Sequence, residues 1–241
     1  MKTLSFDEKK LARMQQQAMM GELSESVIHE TKNLVAIMLA RTQQLIRNHG
    51  NTPELNAIEE AARQCGNLLV SWLGLLPNST TLQWTSFSKI LDKVLIILHK
   101  ELEIQEITLD LDVQSIGNIE VPDQYVTPLL LNLLMNAMKA IQAEKPKLPR
   151  ISVQGRMNEA FVEIQIHDNG MGMDEKTAAA IFNKSVSNFP EGFGLGLFVC
   201  HQIMQQMSGE ITATGEPHQG ATFALKIPRN ALENLRKETE S

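Results

Sequence analysis

From residue 6 to residue 48 the chain contains no proline and a single glycine, Gly21, while its apolar residues recur at helical spacing. Leu23, Val27, Leu34, Met38 and Leu45 follow steps of four and seven, which at about 100° per residue gathers them within roughly 60° of one another. That is one buried seam. A second stripe, Ile28, Val35, Leu39 and Ile46, runs beside it, as suits a helix with two packing partners. The segment "HGNTPE" then breaks the pattern, with Gly50 as terminator, Thr52 as N-cap and Pro53 at the first helical position. In the helix that follows, Leu55, Ile58, Ala62, Cys65, Leu69, Trp72 and Leu76 alternate steps of three and four, the spacing of knobs-into-holes packing. Two antiparallel helices with this much apolar face cannot bury it alone. The expected solution is a helical hairpin that pairs with a second copy as a dimeric four-helix bundle.

"LPNSTT" at 76 to 81 reads as a linker between a hairpin domain, residues 1–78, and a second domain, residues 79–241. Beyond it the period changes. Residues 107–113, 151–153, 161–166 and 221–227 alternate as half-buried strands do, and helical stretches lie at about 86–103, 124–143, 174–182 and 195–208. This predicts an α/β domain whose helices cover one face of a largely antiparallel sheet. The closing "NLRKETES" is expected to fray. A net charge of −6 with interspersed signs gives no electrostatic footprint for nucleic acid. No apolar run reaches the roughly 18 to 20 residues that cross a bilayer, and "MKTLSFDEKKLARMQQQ" has no signal-peptide pattern. No membrane insertion and a cytoplasmic location are therefore expected. Cys65 and Cys200 suggest neither a disulfide framework nor a metal knuckle.

Within "SVIHETKNLVAIM", His29 falls roughly 150° from the centre of the first seam and so points to solvent. Asn33 shares its face, Ala36 and Ala40 continue that face with low relief, and Glu30 is adjacent. A carboxylate there could take the proton of a ring whose other nitrogen attacks an electrophile. A solvated bystander is the alternative. In "PLLLNLLMNAMKAIQAE" an otherwise apolar helix carries Asn132, Asn136 and Lys139 within about 60° of one another. Their amide oxygens could complete the shell of a magnesium ion and the lysine balance phosphate charge, or the stripe could simply be solvated. "IQIHDNGMGM" ends a strand with Asp168, followed by Gly170 and Gly172. A carboxylate there can accept a hydrogen bond from an exocyclic amine where glycines let the backbone approach. "GFGLGLFVCHQIM" leads Gly192, Gly194 and Gly196 into a helix whose first amides can bind phosphate, and "HQGATFALKIP" sets Gly220 and Thr222 at the head of the last strand.

In order and spacing this set resembles the sensor histidine kinase family from about residue 10 to residue 228. "HETKN" resembles its phosphoacceptor box, "NLLMNAMKAI" the N box, "DNGMG" the first glycine box, "IFNKSV" a divergent F box, "GFGLGL" the second glycine box and "GATF" the third. The resemblance implies a Bergerat-type α/β sandwich that binds ATP with Mg2+. Asp168 would meet the adenine amine, Asn136 with Asn132 the magnesium, and Lys139 the phosphates. Gly170, Gly172, Gly192, Gly194 and Gly196 would frame a lid, and Thr222 would lie near the base. It also implies that His29 accepts phosphate, that Glu30 is its base, and that Asn33 orients water when a partner is dephosphorylated. The implied partners are a second copy and a response-regulator receiver domain whose aspartate takes the phosphoryl group.

Two departures stand out. Leu34 occupies the position where the family commonly has proline, which predicts a straighter first helix. The lid segment 173–191 is short, and "FNKSVSNFPEG" lacks the usual proline and second aromatic after Phe182, which leaves the role of Lys184 open. His49, His99, His167, His201 and His218 are expected to be structural or surface residues. The stimulus is expected to come from a separate sensor protein in trans, with the Met-rich "MQQQAMM" as one docking place, or from a longer chain. Two other readings use the same residues: a dimeric signalling scaffold or phosphotransfer protein without catalysis, and a serine kinase or ATPase of the same nucleotide-binding superfamily.

Overall fold

The computed structural model describes residues 31, 34–35, 37–38, 40–48, 50, 52–55, 57–59, 61–62, 65–66, 82–182 and 196–240. The chain divides into two compact units, Met1–Thr80 and Thr81–Ser241. In the first, the described positions between 31 and 48 are helical (α1), as are those between 53 and 66 (α2). Gly50, at φ +83°, closes α1 by donating its N–H to the Ile46 carbonyl at 3.0 Å. Thr52 caps α2 by accepting from the Leu55 amide at 3.3 Å. Gln43 Nε2 donates to Glu59 Oε1 at 3.0 Å, and Gly66 lies against Val35. Residues early in α1 thus meet residues late in α2, so the two helices run antiparallel.

The two apolar stripes of α1 part company here. Val35 and Thr42 are buried, and so is Ala62 of α2, whereas Leu34, Met38 and Leu45 are 58 %, 52 % and 45 % exposed. The second stripe closes the hairpin. The first seam, expected to be buried, faces outward in the single chain, and Ile58 is exposed as well.

The second unit opens with a two-stranded antiparallel ribbon, β1 (Trp84–Ser86) against β3 (Glu120–Pro122), with α3 (Phe87–Ile104) and β2 (Thr108–Asp112) between them in sequence. Then come α4 (Asp123–Glu144), β4 (Arg150–Met157), β5 (Phe161–Asp168), α5 (Glu175–Ala180), α6 (Gly196–Gln206), β6 (Glu210–Gly215), β7 (Ala221–Pro228) and α7 (Arg229–Glu240). The main sheet has the order β2-β4-β5-β7-β6. Only the β2–β4 pair is parallel; the others are antiparallel. Strand alternation decides which face is covered. Ile151 and Val153, Val162, Ile164 and Ile166, and Phe223, Leu225 and Ile227 are buried. Between them Gln154, Gln165 and Lys226 are exposed.

The helix layer rests on the buried face. Phe87, Ile90, Leu91, Val94, Leu98 and Leu102 form the core stripe of α3 at steps of three and four. α4 is apolar over most of its circumference because α3 packs on one side, α6 on another and β5 beneath. Asp123 sits in its first turn, where a negative charge favours the helix, and Lys145 in the left-handed conformation ends it before Pro146.

The sequence reading misses four elements. β1 and β3 are three residues each, too short for alternation to register. β6 is an edge strand in which only Ile211 is fully buried, so it lacks an apolar rhythm. The closing segment, expected to fray, is the helix α7, held by Leu232, which is buried, and by an Arg236–Glu120 ion pair of 2.6 Å. Leu133 lies wholly inside the helix layer. Leu133→Ala should lower the unfolding free energy by about 2–5 kcal/mol, read as a reduced urea midpoint by circular dichroism.

Candidate functional site

At the end of β5 the alternation that fills the core with isoleucine places a carboxylate instead. Asp168 is 1 % exposed and turned toward the helices. The Gly170 N–H donates to its Oδ1 at 2.9 Å, and the Ala221 N–H, across the β5–β7 pair, also donates to it. Burial pushes the carboxyl up to about 6, while those two amides and the neighbouring His167 pull the other way. One buried group thus has its charged form held by backbone and still lies in an acceptor-rich position that a donor on a ligand would satisfy.

The chain around Asp168 runs unusually close to its neighbours. The Met171 N–H reaches the Ala140 carbonyl of α4 at 3.1 Å, and a side chain on Gly170 would run into the α4 backbone at Ala140 and Ile141. Gly172 (φ +63°) and Gly220 (φ +89°) adopt the left-handed conformation. A Cβ on either would strike a carbonyl, that of Glu216 for Gly172 and that of Asp168 for Gly220. The His218 N–H donates to the Met171 carbonyl at 2.8 Å, and His218 Nδ1 lies 2.9 Å from Glu144 Oε2 near the end of α4. The loop after β5, the turn between β6 and β7 and the last turn of α4 are therefore one interlocked unit.

Asn132, Asn136 and Lys139 are half-buried along α4. Asn132 Nδ2 donates back to the Pro128 carbonyl at 3.0 Å. Its Oδ1 lies toward Gly196, where a Cβ would come within 2.9 Å of it. The amino-terminal turn of α6, with the partial positive charge of a helix start, is thus brought beside the asparagine stripe. Neutral amide oxygens suit a hard divalent cation that takes its remaining oxygens from phosphates and water. Among the described residues no cluster of three His, Cys, Asp or Glu side chains could hold a metal without such help.

The structure brings together Asp168, Gly170 and Gly172 at the end of β5, and Asn132 with Gly196 where α4 meets α6. It does not bring Thr222 to Asp168. Register pairs Asp168 with Ala221, and Thr222, one residue on, points to the opposite face of the sheet, where its Oγ1 lies 3.0 Å from His167 Nδ1. Thr222, which the resemblance puts near the base, thus faces away from Asp168, as the two-residue period of a strand requires. The position beside the carboxylate belongs to Ala221, buried; the buried positions of β7 fall on odd numbers, and extending that alternation to residue 221 would have found it. His218, expected to be a structural or surface residue, is exposed and bonds Glu144, a partner no local pattern announces. Phe182 is packed between His201 of α6, ring centroids 6.1 Å apart, and Phe223 of β7 at 6.4 Å. Burial pushes the Cys200 thiol up to about 12, so it is no nucleophile at neutral pH. His29, Glu30, Asn33, Ala36, Lys184, Gly192 and Gly194 lie outside the described residues, as does His49.

Residues 123–231 match the family described as histidine kinase-, DNA gyrase B-, and HSP90-like ATPase. The chain is 27 % identical over 226 residues to the sensor histidine kinase ZraS of Escherichia coli (strain K12), an alignment that covers 91 % of this chain and 48 % of ZraS. To the signal transduction histidine-protein kinase AtoS of the same strain it is 26 % identical over 238 residues, 94 % of this chain and 38 % of AtoS. The chain thus spans about half the length, or less, of the curated relatives it matches. Among solved structures, full-length ShkA in complex with AMPPNP has the same fold over 86 % of this chain and 45 % of its own, with a TM-score of 0.61 at 22 % identity. Over nearly its whole length the chain is thus similar to sensor histidine kinases, and its residues 123–231 match the histidine kinase-, DNA gyrase B-, and HSP90-like ATPase family.

Proposed function

We propose that this chain autophosphorylates His29 with ATP and passes the phosphoryl group to an aspartate of a response-regulator receiver domain in the cytoplasm. The observation that carries the reading is the buried Asp168 carboxylate, held by two backbone amides at a strand end with the asparagine stripe of α4 in the same helix layer. A purine amine donating to Asp168 would return to that carboxylate the hydrogen bond that burial took from it. The short backbone contacts of Gly170 and Gly172 leave the loop no side chains at those two positions to obstruct a planar ring. Magnesium would be held by the Asn136 and Asn132 amide oxygens together with the triphosphate, offsetting its charge. Lys139 and the first amides of α6, at Gly196, would meet the phosphates. The glycines at 192 and 194 would continue that loop.

In the transfer itself a nitrogen of the His29 ring forms the new bond to the γ-phosphorus, ADP leaves with the electrons of the broken P–O bond, and the proton on the ring's other nitrogen passes to Glu30. Asn33 orients water when the receiver is dephosphorylated. The exposed seam of Leu34, Met38 and Leu45, with Ile58 on α2, supports a homodimer in which two hairpins make a four-helix bundle.

Incubation with γ-labelled ATP and magnesium should give acid-labile, alkali-stable phosphate on the wild-type chain and none above background on His29→Gln. Label on serine, or steady ATP turnover with no phosphoenzyme, would overturn the reading. Asp168 yields a second prediction. Its folded-state value of about 6 lies above the usual 3.8. The stability it contributes is therefore full below about pH 4 and lost as the pH rises through about 6, on the order of 3 kcal/mol in all. Asp168→Asn, neutral throughout, should gain stability relative to the wild type at pH 7 compared with pH 4.5, read from urea midpoints. The same substitution should weaken binding of a non-hydrolysable ATP analogue by about tenfold or more at pH 7.5. The wild-type advantage should shrink as the pH falls below 6, by calorimetric titration of both chains.

A further inference from the structure

The two edges of the main sheet are finished differently. β6 is packed by α5 and α6, whereas β2 has β4 as its one extensive neighbour among the described residues. On the β4 side the Thr108 N–H donates to the Pro149 carbonyl at 2.9 Å. Backbone groups alternate in direction along a strand, so those of Leu109 and Leu111 face the open edge. Such edges are commonly guarded by charge. Here the two carboxylates of β2 are engaged by the neighbouring strand instead, Asp110 by Arg150 at 2.8 Å and Asp112 by Arg156 at 2.6 Å.

Beside that edge a groove of about 710 Å³ separates β2 from α3. Its apolar lining is Leu95, Ile96 and Leu102 of α3 with Ile107 and Leu109, and Ile96 is 76 % exposed. Ile104 of α3 and Leu111 of β2 are exposed as well. The charge of the groove has one sign. Asp92, Glu103 and Glu106 line it and no Lys or Arg does; the ion pair among these carboxylates is that of Glu103 with His99, at 3.6 Å. An apolar trough with an acidic border and a row of outward backbone groups asks for a partner with three matching properties.

We propose that the groove between α3 and β2 is a docking site for an extended, basic segment of another protein, which adds to the sheet as a strand beside β2. Its alternate apolar side chains lie against Leu95, Leu102 and Leu109, and its Lys or Arg residues reach the carboxylates of Asp92, Glu103 and Glu106. A docked helix would cover the apolar lining but leave the N–H and C=O groups of Leu109 and Leu111 to water; an added strand satisfies both. Two copies meeting edge to edge would set like carboxylates against one another. The site is built from α3 and β2, which carry none of Asn132, Asn136, Lys139 or Asp168, so it stands apart from the kinase reading.

The test uses the full chain and a fluorescein-labelled peptide of about ten residues in which leucine or valine alternates with lysine, followed by fluorescence anisotropy. The wild type should bind it saturably. Ile96→Glu should raise the dissociation constant about tenfold or more, and Glu103→Lys with Glu106→Lys by a comparable factor, each with a circular dichroism spectrum matching the wild type. The same residues reordered to helical spacing should bind about tenfold more weakly. N-methylation of one alternate set of peptide amides should abolish binding while methylation of the other set leaves it, because an added strand bonds along one edge. No saturable binding, equal binding of the reordered peptide, equal effects of the two methylations, or indifference to Ile96→Glu would overturn the proposal. So would self-association of the peptide-free chain that Ile96→Glu abolishes, which would give the groove to a second copy.

Discussion

A carboxylate buried at the end of a strand is an expensive thing to build, and the second unit is arranged around doing so. Asp168 takes the place that the alternation of β5 would give to another isoleucine, and it is as buried as Ile166 before it. Left alone in such a place a carboxyl would take up a proton and remain neutral. Two backbone amides, from Gly170 and Ala221, offset part of that tendency and hold it at about 6, so that at neutral pH the acceptor is mostly ionised. The amides can reach it only because the chain on both sides is free of side chains that would push it away. Gly170 lies against α4 and Gly220 against the Asp168 carbonyl. The electrostatics of the site thus rest on a steric fact about glycine.

That arrangement gives α4 two tasks that pull in opposite directions. Its apolar surface, from Val126 to Ile141, supplies much of the core between α3, α6 and the sheet. Its last turn accepts the Met171 amide and so locates the loop that follows Asp168. Only a narrow stripe is left for polar chemistry, and Asn132, Asn136 and Lys139 occupy it. Because core and stripe share one rigid helix, the amide oxygens stand at a separation set by packing, which is how a site on a helix becomes more reproducible than one on a loop.

Much of this could be read in the sequence because it is periodic. α3, α4, α6, β5 and β7 each repeat an apolar residue at a spacing that only one kind of element satisfies. Asp168 and the stripe were conspicuous as polar interruptions of those repeats. What escaped lacked periodicity or depended on a single residue of phase. The resemblance of "GATF" to the third glycine box puts Thr222 near the base, yet a strand turns its side chains over at every step, and the paired register sets Ala221 beside Asp168. β6 and the β1–β3 ribbon are too short or too marginal to announce themselves. α7 reads as a charged tail because the contacts that hold it, Leu232 against the unit and Arg236 across Trp84 and Glu120, lie more than a hundred residues away from it in sequence or form a single apolar point.

The two units are stabilised in different ways, and this bears on how they can work together. The second has a continuous core in which α4 and the odd positions of β7 are closed off from water. The hairpin buries little: Val35 and Ala62 are its buried apolar residues among those described, while Leu34, Met38, Leu45 and Ile58 remain in contact with solvent. A pair of helices in that condition gains most of its stability from whatever covers the exposed seam, so its folding and its association are one equilibrium, dependent on concentration. The core of the second unit, by contrast, is closed by its own elements. Of the two units, the hairpin is the one whose equilibrium a few kcal/mol would shift most readily.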